Sequence, residues 1–192
     1  MKRFLPTFIV LAAALLGFAP GQAAEPDPAA LTVAVPGGDS LAIRVPKGWK
    51  CDAGKPAPEA PPTVDFTSPG GIQAKLTMMA DAEGRFVTPE AVDELVTIAN
   101  QHFAENAIEK TPKLIRIKAK VGHGAYCIFT DSKLVGVSTP AEGEIRNVTS
   151  GVFVIGKQAV IFTILSNDIT SDEYRAALDL ISNGISVAAP GG

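Results

Sequence analysis

The chain has 192 residues, 17 Lys+Arg against 20 Asp+Glu, a net charge of −3 and 46% hydrophobic side chains. That balance excludes a nucleic-acid binder working through a global basic field, and gives no general pull toward an anionic membrane. The length suits one domain, large enough to bury a core without extra staples.

In chain order, Met1-Lys2-Arg3 is a short basic head, followed by an apolar run from Phe8 to Phe18 and small residues at Gly21, Ala23 and Ala24. This is the pattern of a cleavable secretory signal over 1–24, with cut sites after Ala23 or Ala24 both open. The run is shorter than the roughly 20 residues of a spanning helix, so the expected mature chain has no transmembrane helix. It is more acidic still, because Lys2 and Arg3 leave with the signal and no acid does. The expected location is periplasmic or secreted.

Residues 25–30 read as a flexible leader, 31–187 as a single domain and 188–192 as a tail. Leu31–Val35 and Leu41–Val45 predict two short strands around Pro36-Gly37-Gly38-Asp39-Ser40, a hairpin by its glycines. Lys55 to Pro62 carries Pro56, Pro58, Pro61 and Pro62, and must be a loop. Val64–Phe66 and Ile72–Met78 predict a second hairpin. A helix follows, with Thr88 as N-cap, Pro89 in its first turn, and a stripe of Val92, Leu95, Val96, Ala99 and Phe103.

Ile115, Ile117, Ala119 and Val121 alternate with Arg116, Lys118 and Lys120, predicting a strand with one wet face. Strands around 125–130, 145–155 and 158–166 complete the β content, the last two joined at Gly156-Lys157. Thr170-Ser171-Asp172-Glu173 predicts a capping box with Thr170 as N-cap, opening a helix whose stripe is Tyr174, Ala177, Leu178, Ile181 and Ile185. Hairpin-joined strands broken by two amphipathic helices indicate an α+β fold with a largely antiparallel sheet.

The segment Leu41-Ala42-Ile43-Arg44-Val45-Pro46-Lys47-Gly48-Trp49 resembles the strand and Pro-x-Gly-Trp opening of the PsbP-like superfamily, and the order of elements over 31–187 is similar. The resemblance implies an α-β-α sandwich with two main helices and a mostly non-catalytic, partner-binding role. It supplies no catalytic residues.

Several residues could carry chemistry. Gly38-Asp39-Ser40-Leu41 spells an esterase nucleophile signature, but no His follows His123 to serve as base; the tetrapeptide is read instead as ordinary hairpin-turn chemistry. His102 and His123 have no partner at metal-ligand spacing. Asp81-Ala82-Glu83-Gly84 lacks the rest of a calcium loop, and Gly122-His123-Gly124 is no phosphate cradle. No cofactor and no metal are therefore expected. Asn147-Val148-Thr149 matches a glycosylation sequon within an expected strand.

Cys51 and Cys127 are the two cysteines, and in an exported chain they are expected to pair as a structural disulfide; the alternative is a buried Cys127 with Cys51 free. Arg116, Lys118 and Lys120 form a basic ridge, read first as a solvated edge that deters other strands. The expected function is a non-catalytic binding or assembly module for another envelope protein. The contact surface is expected in the Pro-rich segment around Trp49, Lys55, Pro56, Pro58 and Pro61. A small-ligand or metal carrier is the alternative, and a hydrolase using Ser40 the second.

Overall fold

The computed structural model describes residues 30–54, 57 and 59–188. The signal segment 1–24, leader residues 25–29, Lys55, Pro56, Pro58 and tail residues 189–192 lie outside the described residues. In chain order the elements are β1 (Ala30–Val33), β2 (Leu41–Arg44), β3 (Lys50–Gly54), β4 (Thr63–Thr67), β5 (Gln73–Ala80), α1 (Pro89–Ala99), α2 (Gln101–Ala104), β6 (Ile115–Arg116), β7 (His123–Thr130), β8 (Asn147–Ile155), β9 (Gln158–Ser166), α3 (Asp172–Asn183) and β10 (Ile185–Val187). A single 3-10 turn, Ser132–Leu134, lies between β7 and β8.

Alternation along the central strands builds a three-layer sandwich. The large sheet runs β3-β4-β5-β9-β8-β7-β6 and is antiparallel throughout. Because successive side chains take opposite faces, Leu76, Met78, Val160, Phe162, Ile164 and Phe153 point to one side. There they meet Tyr174, Ala177 and Ile181 of α3. Ala125, Cys127, Phe129, Val152 and Val154 point to the other side and meet Val92 and Val96 of α1. The small sheet β1-β2-β10 joins the α3 layer through Leu41, Ile43 and Ile185. Each large apolar side chain so buried contributes ~1.5–3 kcal/mol. β8 and β9 are covered on both faces over most of their length, Ile161 being the exposed exception, so those strands read as near-continuous apolar runs.

Local chemistry sets the helix ends. Thr88 Oγ1 accepts from Ala91 N at 3.2 Å, and Pro89 opens α1. The stripe expected to run on to Phe103 stops at Asn100, which leaves the helical conformation while its side chain donates to Val96 O at 2.8 Å. Ala99 consequently faces solvent, and Phe103 returns through α2 to lie 5.6 Å from the Phe129 ring. In α3 the cap is Ser171, one residue later than expected: its Oγ accepts from Tyr174 N at 3.1 Å. Glu173 reaches away to Ser68 Oγ at 2.6 Å and Gly70 N at 2.9 Å, so it closes no box with Thr170. Among the described residues no helix is long and apolar enough to cross a membrane.

The expected Cys51–Cys127 disulfide is corrected; both cysteines are free, Cys51 exposed and Cys127 buried. Five strand spacings separate β3 from β7, ~24 Å, whereas a disulfide needs Cα atoms within about 7 Å. The register also sets them on opposite faces. Cys51 stands across from Phe66, and the row continues through Ala74, Ile164 and Thr149 to Ile128, which leaves Cys127 on the other side. Burial raises the Cys127 thiol pKa, which suppresses its reactive thiolate. Alkylation of the native, unreduced protein is expected to label Cys51 at once and Cys127 only after denaturation. Thiols that emerge solely on reduction would contradict this arrangement.

Candidate functional site

The strand expected over 115–121 is only two residues long, and the reason defines the site. Ile115 pairs with Tyr126 and Arg116 with Ala125, while Ile117 N donates to Gly124 O at 2.8 Å. The hairpin thus closes at once, and Lys118 to Gly122 become its connection, with Gly122 at φ +85°. Gly124 is required for this closeness: a Cβ there would lie 2.9 Å from Ile117 Cδ1 and 2.5 Å from Val152 O.

β6 is also the last strand of the large sheet. Since Ile117 turns its N–H inward to Gly124, strand alternation turns the N–H and C=O of Arg116 and Lys118 outward. Among the described residues no loop or turn supplies a backbone partner to either. Beside this open edge lies a groove of about 260 Å³, floored by Ile115, Ile117, Tyr126, Leu178 and Ile181 and closed by Ser182. Tyr126 is half-buried, and burial raises its phenol pKa. On the far side of the hairpin connection a wider cavity of about 660 Å³ shares Ser182 and is bordered by Arg44, Lys120, Val121 and Val187.

The basic ridge is split by its partners. The Arg116 guanidinium turns to α1, 2.6 Å from Asp93 and 3.4 Å from Glu90; the bond to Asp93, then its charge, raises the Arg116 pKa. Lys118 and Lys120 are exposed, while Ile117 and Ala119 between them pack on the α3-side core. The lysines therefore lie on the solvent-facing side of the segment.

The other sequence-based candidates are scattered. Trp49 is half-buried against the α3-side core, set by a turn in which its N–H donates to Pro46 O at 3.1 Å and Gly48 takes φ +79°. Pro61 is half-buried before β4. Both belong to the β3–β4 end of the large sheet, opposite the β6 groove, so the structure does not bring Trp49 and the groove together. Ser40 sits in the turn before β2, its C=O accepting from Ala188 N at 2.8 Å. His102 is exposed on α2, and His123 Nε2 lies 3.0 Å from Phe86 O at the start of β7. The Asp81 carboxylate accepts from Arg85 N and Phe86 N, both at 2.8 Å, which is turn chemistry. Asn147 is buried and donates to Thr130 Oγ1 at 3.1 Å. Among the described residues no three His, Cys, Asp or Glu side chains converge as a metal site.

Sequence reasoning missed the groove floor. Tyr126 and Leu178 each lie in an expected element, but only the packing of α3 beside the β6–β7 hairpin brings them together.

The layers and strand order define an α+β sandwich with helices on both faces of a largely antiparallel sheet. The chain is similar in structure to cyanobacterial PsbP (CyanoP) from Synechocystis sp. PCC 6803, with TM-score 0.49 and 12% identity over 90% of this chain and 99% of that one. A protein from Bacteroides thetaiotaomicron VPI-5482 is similar at TM-score 0.39 and 11% identity, over 79% of this chain and 46% of that one. No family model matches the sequence, and no curated protein is similar to it.

Proposed function

We propose that the chain is an exported, non-catalytic binding module that holds a segment of another envelope protein. The supporting observation is the apolar groove between β6 and α3, bordered by an unpaired strand edge. Apolar side chains left facing an open groove favour an occupant that covers them. The signal-like residues 1–24 support export, which sets the partner in the same compartment. This moves the expected contact surface from the Pro-rich segment to the opposite edge of the sheet.

The test is a photo-crosslinking residue at Ser182 in the full chain, irradiated in the native envelope, with Glu83, an exposed residue of the β5–α1 connection that does not line the groove, as control position. One identified protein is expected at Ser182 and not at Glu83. Equal labelling at both positions would refute the reading. A small molecule retained in native mass spectrometry, with no protein crosslinked, would replace it by the carrier alternative.

A further inference from the structure

We propose that the occupant is an extended peptide that adds as a further strand to the edge at Ile115–Lys118, with alternating apolar and acidic side chains. The proposal rests on the binding-module reading and specifies the chemistry of the segment bound.

Three observations converge. The edge offers outward N–H and C=O groups at Arg116 and Lys118, a ladder that a new strand can continue. Residues directly opposite in adjacent strands share a face of the sheet. Side chains of the added strand opposite Ile115 and Ile117 would therefore enter the apolar groove against Leu178 and Ile181. Those opposite Arg116 and Lys118 would fall on the α1-side face, where Lys118 is exposed and Arg116 lies between the Glu90 and Asp93 carboxylates.

Charge complementarity selects the occupant. Asp93 and Glu90 already hold Arg116, so the free attraction on this face comes from Lys118, and an acid opposite it satisfies it. Lys118 repels a basic strand and would lose hydration beside a neutral one, which disfavours pairing of this open edge with its own copy. At about 3.3 Å per residue the stretch from Ile115 to Lys118 is ~13 Å long, so it pairs with the central residues of a short extended peptide.

The probe is an acetylated, amidated heptapeptide alternating valine and glutamate, titrated into the isotope-labelled full chain and followed by amide NMR shifts. Controls are the same peptide with lysine for glutamate, and two versions N-methylated on one or the other alternate set of amides. Shifts are expected at 114–118 and 178–182. The lysine peptide, and Lys118→Glu with the glutamate peptide, should each bind about tenfold more weakly or worse, as loss and reversal of exposed ion pairs imply. One methylated version should lose binding and the other keep it, because only one set of amides faces the edge. Equal binding of both methylated versions would overturn strand addition while leaving a crosslinked partner at Ser182 intact. Equal binding of the glutamate and lysine peptides, or no shift with any peptide, would also overturn the proposal.

Discussion

Gly151→Ala is expected to destabilise the protein by ~3 kcal/mol or more, as overpacking against immovable neighbours does. Gly151 lies mid-β8, between Tyr126 of β7 and Phe162 of β9. A Cβ there would come within 2.4 Å of Ala125 O, 2.6 Å of Tyr126 Cβ and 2.7 Å of Phe162 Cζ. Two of those atoms belong to or adjoin the backbone, so no rotamer change relieves them. The Tyr126 and Phe162 rings, with centroids 6.4 Å apart, lean into the space the missing side chain leaves, and Tyr126 then floors the groove. Urea unfolding measures the loss, which is a large share of the ~5–15 kcal/mol typical of a domain. Gly54→Ala is the control: nothing lies within 4 Å of its Cβ position, so its effect should stay within about 0.5 kcal/mol. Equal midpoints for the two variants would show that β8 can shift, and that the groove floor is softer than the packing implies.

Gly151 illustrates what a sequence conveals and what it conceals. β4 and β5 were legible from apolar alternation and β7 and β9 from their short apolar runs, as was Thr88-Pro89 at the start of α1. β3 was not legible: Lys50-Cys51-Asp52-Ala53-Gly54 has no apolar alternation, is exposed along its length, and is held by its pairing to β4. β6 was overextended because Lys118 to Val121 keep the alternating pattern of a strand while serving as a hairpin connection that leans on the core. Ser171 displaced Thr170 as cap because Glu173 has better partners in Ser68 and Gly70, more than 100 residues away in sequence. The disulfide expectation failed for the same kind of reason, since strand order and face decide whether two cysteines can meet. The groove required both kinds of information: its residues are ordinary core formers, and only their placement at the last strand of the sheet leaves Ile115, Ile117, Tyr126 and Leu178 half-buried.

Tyr174→Ala is expected to be the most damaging change in α3, by roughly 3–5 kcal/mol for the vacated volume. Tyr174 is 3% exposed in the helix's first turn, where its OH lies 2.8 Å from Thr149 Oγ1 on β8. Thr149 is itself fully buried, so removing the phenol also strands a hydroxyl, a further ~1–3 kcal/mol. Tyr174→Phe keeps the ring and isolates the hydrogen bond, with an expected loss of about 1–2 kcal/mol. The two variants should also differ from wild type in alkali. Burial is the main cause raising the Tyr174 pKa from 10.0 to about 12, so the folded state keeps its proton where the unfolded state loses it. Its contribution is therefore full below pH 10 and is lost as pH rises through about 12. Denaturant unfolding between those limits should show wild type losing stability more steeply than Tyr174→Phe, with the slope that Tyr126 contributes remaining in both. Parallel slopes would mean that the Tyr174 phenol is not held neutral by the fold. Because Leu178 and Ile181 ride on the same helix and wall the groove, Tyr174→Ala should weaken peptide binding at β6 along with stability, whereas Tyr174→Phe should leave binding near wild type at neutral pH.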